Sequence, residues 1–207
     1  ALAGVGVAFA LSLVIKNILE KDGEKTPSIY PLLQYVAIGT ICDMAKLNFM
    51  NIKLTRHGLK QITDTNYEGI IAFFNDEDRK APFIPSEKIS FYVGPLINSK
   101  GRLDHPEKAL NLLVATNHKD AFENYSHLEI SNRERKIIQK NVSDQAKAQV
   151  IKNMRSDSPL INIVYQEDWH EGVIGIVASK MVETFEVPAI IFTNSEEPGV
   201  IKASCRS

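Results

Sequence analysis

The sequence predicts an α/β chain: a helical first part, a long connecting helix, then the opening of a smaller α/β part. Three observations carry this. Residues 1–115 break into short apolar runs, most at helical rather than alternating spacing. Glu107 to Ser158 then contains no Gly and no Pro across 52 residues. After residue 158 the pattern becomes apolar run, polar turn, amphipathic helix, apolar run, the order of a βαβ unit. The expected segments are 1–115, 116–157 and 158–207.

The opening ALAGVGVAFALSLVI is apolar for about fifteen residues. A bilayer-spanning helix needs roughly 20, so this reads as a buried helix closing at Lys21-Asp22-Gly23. It carries neither an initiator Met nor a basic flank, and VIKASCRS stops inside a strand-and-turn pattern. Both ends therefore read as interior to a longer protein. After the polar loop KDGEKTPSI, Tyr30 to Leu47 is the next apolar element. Thr55 or Arg56 to Thr63 and Glu68 to Phe74 suggest two short helices. Residues 75–88 hold two prolines among charges and read as a loop, followed by elements at Ile89–Asn98 and Pro106–Ala115.

From about His118 to Met154 the chain is rich in Lys, Glu, Gln and Asn. Phe122, Tyr125, Leu128, Ile138, Val142, Ala146, Val150 and Met154 form one narrow apolar stripe. About 36 helical residues would span roughly 54 Å, which suits a connector between two parts. A surface helix or a coiled-coil arm is the alternative. Beyond it, Ile163–Tyr165 reads as a strand and Gln166–Glu171 as a charged turn. Val173, Ile176, Val177, Met181 and Phe185 mark a helix, Pro188 ends it, and Ala189–Phe192 is a second strand.

Composition narrows the function classes. With 44% hydrophobic and 24% charged residues the chain can build a core. A formal net charge of −1 excludes a broadly basic surface but not a local basic groove. Cys42 and Cys205 form no CxxC pair, so a disulfide framework or zinc site is not expected, and a reducing cytoplasm fits.

Four places could carry chemistry. Asp43 lies within VAIGTICDMAKL, an apolar stretch where a buried carboxylate needs a cation, hydrogen-bond donors or a metal. A helix cap or salt bridge would serve equally. In GPLINSKGRLDHPEKALNLL, Asn98, Ser99, Lys100, Arg102 and His105 crowd around Gly101. Arg102 has the forked donors that suit phosphate, or it sits in a turn paired with Asp104. Ser204, Arg206 and Ser207 put hydroxyls and a guanidinium at a strand end, as a phosphate cradle or as an exposed strand end. His170 follows the single Trp where strand meets helix, an end that favours anions. HEGVI is no HExxH motif, because Ile174 stands four beyond His170. Gly172 and Gly175 do not make a dinucleotide fingerprint, and neither a G-x-S-x-G nor a P-loop is present.

Taken in order, VAIGTICDMAKL, GPLINSKGRLDHPEKALNLLVA, DWHEGVIGIVASKMVETFEVPAIIF and IKASCRS resemble successive motifs of one family. It is the RecJ-type single-strand-specific DNA exonucleases of the DHH phosphoesterase superfamily. AGVGVAFALSLVI resembles the segment after that family's Asp-His-His motif, so the resemblance covers nearly the whole chain. It implies the end of a DHH catalytic domain, a long linking helix, and the start of a DHH-associated (DHHA1) domain. It also implies 5′-to-3′ degradation of single-stranded DNA in recombination and repair, with Mn²⁺ or Mg²⁺ as cofactor. Asp43, matching the Asp of G-T-x-x-D, becomes the one metal ligand in this chain. Arg102 matches the Arg of N-A-A-G-R and, with Asn98 and Lys100, would contact the DNA backbone. Ser204 and Arg206 match G-S-x-R-S and would hold the 5′ phosphate. His170 would organise the first βα turn of the associated domain, or merely brace it.

The chain departs from the family at Leu96, where Arg is common, at Lys100, where Ala is usual, and at Ala203, where Gly is usual. The resemblance implies single-stranded DNA with a 5′ end as partner, repair proteins beside it, and no membrane. Two alternatives stand beside the exonuclease. One is an oligonucleotide or cyclic-dinucleotide phosphodiesterase of the same superfamily. The other is a non-catalytic nucleic-acid-binding fragment, since one ligand cannot hold two ions.

Overall fold

A computed structural model describes residues 1–103, 106–153 and 160–207, the side chains of 100–103 excepted. The chain divides into two compact units. One is built on Ala1–Asn98 and Pro106–Leu128, the other on Ser99–His105 and Glu129–Ser207.

The first unit is helical. Its helices are α1 (Gly4–Lys21), α2 (Leu33–Cys42), α3 (Phe49–Ile62), α4 (Glu68–Ile71), α5 (Asp76–Lys80) and α6 (Ser86–Lys88). They are followed by α7 (Gly94–Leu103), which counts with this unit only up to Asn98, and by α8 (Glu107–Leu113). Gly23, at φ +88°, follows the end of α1 in a backbone region that favours glycine. Helix α3 starts six or more residues earlier than its amphipathic pattern suggests. Asn48 caps it, its side chain accepting from the Met50 and Asn51 N–H groups at 3.1 and 3.0 Å. The stretch expected as a loop at 75–88 contains α5 and α6. Asn75 and Asp78 form a reciprocal capping box that nucleates α5. Ile89–Val93 is a π-helical turn leading into α7.

The core of this unit gathers Ile38 from α2, Ile62 from α3, Ile70 from α4, Val93 and Leu96, Leu112 from α8, and Leu128. Helix α1 is not the buried helix its composition suggests. Val7, Leu11, Val14, Ile15 and Ile18 are each 48–59% exposed, and Gly6 is its buried residue. Apolar content sets what a helix can bury; neighbouring elements decide what it does bury.

Helix α9 runs unbroken over His118–Asn153, 36 residues. Up to Leu128 it belongs to the first unit and beyond that to the second. The expected stripe is real at Leu128, Val142, Ala146 and Val150, which are buried, while Phe122 is exposed. Met154 lies outside the described residues.

The second unit holds a three-stranded mixed sheet in the order β1 (Asn162–Tyr165), β2 (Ala189–Asn194), β3 (Ile201–Arg206). Strands β1 and β2 are parallel, joined through α10 (Glu171–Phe185), as the βαβ reading requires. Strand β3 returns antiparallel to β2, pairing Ser204 with Ile191 and Arg206 with Ala189. Helix α10 ends at Phe185, before Pro188, because Glu186 takes the left-handed conformation at φ 56°. Val173, Val177 and Met181 pack with Val142, Ala146 and Val150 of α9 and with Val164 and Ile191 of the sheet. Among the described residues no helix is long and apolar enough to cross a membrane.

Candidate functional site

In the first unit, the end of α2 forms one rim of a cleft of about 350 Å³ lined by Tyr35, Gly39, Cys42, Asp43, Ile97 and Asn98, among others. Asp43 and Asn98, which the sequence assigns to separate motifs, thus open on one cavity. Asp43 is exposed, not buried in its apolar stretch. It is the C-cap of α2, its N–H bonded to the Gly39 carbonyl at 3.0 Å. Met44 follows in the left-handed region, at φ 50°.

A carboxylate at a helix C-terminus faces the negative end of the dipole, a position that costs stability unless a cation is near. Among the described residues no side-chain hydrogen bond or ion pair relieves Asp43. That position fits a hard divalent cation, which takes oxygen ligands. No group of three His, Cys, Asp or Glu side chains capable of holding a metal occurs among the described residues. Beside it, burial pushes the Cys42 thiol up to about 11, and both cysteines are free thiols. Arg102 and Lys100 fall in the last turns of α7, so the segment expected as a turn is helical there. Their side chains, and Asp104 and His105 entirely, lie outside the described residues.

In the second unit, a separate cavity of about 450 Å³ is lined by Glu171, Gly172 and Gly175 of α10 and by Lys202, Ala203 and Ser204 of β3. The Arg206 guanidinium donates to Ser204 Oγ at 3.3 Å and to the Cys205 carbonyl at 2.6 Å. Gly175 is where this cluster meets the helix. A Cβ there would stand 3.2 Å from Ser204 Oγ and 3.4 Å from Arg206 Nη2.

His170 is the N-cap of α10, its Nδ1 accepting from the Gly172 N–H at 3.0 Å. The side chain thereby occupies one of the helix-start donors that an anion would otherwise use. Trp169 is buried, its indole N–H donating to Gln145 Oε1 at 2.6 Å, and its carbonyl accepts from Thr193 Oγ1 at 2.6 Å. The Trp-His turn therefore ties α9, β2 and the start of α10 together.

Sequence reasoning passed over Lys202 and the cavity-lining role of Glu171. Lys202 Nζ donates to Glu171 Oε2 at 2.5 Å, and that bond raises the Lys202 pKa above the usual lysine range. The signal was available: Lys202, Ser204 and Arg206 alternate on a strand, so they share a face.

No family model matches the chain. Along its whole length it is 35% identical to the single-stranded-DNA-specific exonuclease RecJ of Haemophilus influenzae. It is 34% identical to the protein of that name from Escherichia coli. The chain covers 37% of each, so it spans little more than a third of the curated relatives it matches. Its fold matches the crystal structure of Thermus thermophilus RecJ in complex with Mg²⁺. The TM-score is 0.71 at 24% identity, over 84% of this chain and 27% of that one. The same protein in complex with Mn²⁺ matches at TM-score 0.67 and 25% identity, over 84% of this chain and 26% of that one. The elements of the chain thus follow a known fold.

Proposed function

We propose that this chain, similar to RecJ over its whole length, is part of a metal-dependent 5′-to-3′ exonuclease for single-stranded DNA that acts in recombination and repair. One observation carries the reading. The motif residues that the resemblance selects line both cavities: Asp43 and Asn98 the first, Ser204 the second.

In this reading residues 1–115 end a DHH catalytic domain, 116–157 link it onward, and 158–207 begin a DHHA1 domain. Asp43 contributes one carboxylate to a Mg²⁺ or Mn²⁺ site whose other ligands come from outside this chain. Such a cation acidifies water and offsets charge on the phosphate under attack. Asn98, Lys100 and Arg102 hold backbone phosphates by hydrogen bonds and charge. The Ser204 hydroxyl and the Arg206 guanidinium donate to a 5′-terminal phosphate. His170, as the cap of α10, fixes the turn that leads into the helix facing that cradle.

The absence of any three-ligand group among the described residues favours a second statement. On its own the 207-residue chain binds nucleic acid but does not cut it. Metal-dependent turnover by the purified chain, free of contaminating nuclease, would overturn that.

The test of the main reading is Mn²⁺-dependent release of mononucleotides from a 5′-phosphorylated single strand by the full-length protein, with Asp43→Asn alongside. Activity is expected to fall at least a thousandfold in the variant. Stability should stay level or rise by about 0.3–1 kcal/mol, because the carboxylate leaves the negative end of α2. Retained activity would remove Asp43 from the metal site. Absence of wild-type degradation would turn the reading toward a small-substrate phosphodiesterase.

A further inference from the structure

Lys202, Ser204 and Arg206 lie on one face of β3, and their partners on β2 are Thr193, Ile191 and Ala189, all buried. The three side chains therefore share the sheet face that α10 covers. Lys202 and Glu171, with side chains 49% and 41% exposed, form their ion pair on the cavity that Ser204 also lines. Glu171 is the first residue of α10, so its carboxylate sits where the helix dipole favours negative charge. An anion thus already engages the lysine beside the Ser204 hydroxyl. Carboxylate and phosphate oxygens recruit the same donors with the same charge assistance.

We infer that the Glu171–Lys202 pair is an exchange element: Lys202 is a further phosphate-binding residue, and Glu171 is the internal anion that an arriving 5′-terminal phosphate displaces from it. This rests on the placement of the 5′ phosphate at Ser204 and Arg206 proposed above. The exchange sharpens selection. A terminal phosphate monoester carries roughly −1.5 to −2 at neutral pH, as phosphorylated side chains do, whereas an internal phosphodiester carries a single charge. The more highly charged group competes better with Glu171 for the ammonium. Once Lys202 has moved, the exposed carboxylate repels any further phosphate at the mouth of the cavity. Strand ends are thereby favoured over continuing strands by competition as well as by fit.

The test compares the affinity of the full-length protein for one oligonucleotide bearing a 5′ phosphate or a 5′ hydroxyl, with EDTA present so that neither is cut. The ratio of the two affinities reads end selection. Lys202→Met is expected to lower the ratio about tenfold, the scale of one charge-assisted hydrogen bond. Lys202→Arg should retain most of it. Glu171→Gln should tighten binding of the phosphorylated strand about two- to fivefold, the scale of a half-exposed ion pair. Glu171→Gln added to Lys202→Met should recover part of the loss.

A ratio unchanged by Lys202→Met overturns the inference. So does weaker binding of the phosphorylated strand by Glu171→Gln, which would make Glu171 a mere positioner of the lysine. Arg206→Ala separates the two levels. If it abolishes the ratio while Lys202→Met does not, the cradle stands and only the exchange falls. If wild type shows no preference for the phosphorylated end, the cradle falls and takes the exchange with it.

Discussion

Gly175→Ala separates stability from binding within a single residue. The glycine lies inside α10, where Ala is favoured over Gly by about 0.8–1 kcal/mol. Against this stands the new Cβ, 3.2 Å from Ser204 Oγ and 3.4 Å from Arg206 Nη2. Both neighbours are side-chain ends, so each can yield by a few tenths of an ångström without moving backbone. The two effects nearly cancel, and unfolding stability should change by less than about 1 kcal/mol, or less than about 4–8 °C in Tm for a unit of this size.

Binding does not share this tolerance. A hydroxyl and a guanidinium displaced by a few tenths of an ångström leave the narrow range of good hydrogen-bond lengths. Loss of one charge-assisted bond, about 1.5–3 kcal/mol, predicts affinity for a 5′-phosphorylated strand about ten- to a hundredfold weaker. Thermal melting and a titration with labelled oligonucleotide, on the same preparation, give both numbers. Unchanged affinity would refute the placement of the phosphate at Ser204 and Arg206. A fall in Tm of ten degrees or more would refute the packing account of Gly175.

Two other perturbations test the scaffold. Gly69→Ala places a Cβ 1.8 Å from the Leu112 carbonyl oxygen, where α4 crosses the end of α8. Backbone must move, so the loss should be about 3 kcal/mol, the upper end for overpacking, and denaturant unfolding would measure it. Alkylation with iodoacetamide at pH 8 should modify exposed Cys205 well before Cys42. Burial holds the Cys42 thiol at about 11, which leaves little of it as reactive thiolate; mass spectrometry of the two peptides would show equal rates if that burial were wrong.

The long helix and the βαβ unit were legible because each is written in spacing. A run free of Gly and Pro, and a change from period 3.6 to short apolar strands, survive any packing arrangement. Helices α3 and α5 were mis-drawn because their starts are set by caps, Asn48 and the Asn75–Asp78 box, rather than by apolar spacing. Those cap residues were in view and would have corrected both. The exposure of α1 and of Asp43 was not legible, because a side chain's burial depends on elements far away in sequence. Asp43 was singled out for the cost of burial, whereas in the fold its cost comes from the helix end it caps. Lys202 was missed because attention stopped at the polar end of its strand, Ser204 to Ser207, and the alternation of Lys202 with Ser204 and Arg206 was not followed.

Helix α9 is one element in geometry but two in energetics. Tyr125 and Leu128 pack with the first core, and Ile138, Val142, Ala146 and Val150 with the second. Between them the helix is held by polar groups, Arg135 donating to Asn132 Oδ1 at 2.9 and 3.2 Å and to Gln139 Oε1 at 2.9 Å. Cooperative opening units follow shared cores rather than element boundaries. The two ends of this single helix therefore belong to different foldons. Its amides would exchange with solvent at two rates set by two separate opening equilibria, with the changeover near the polar middle.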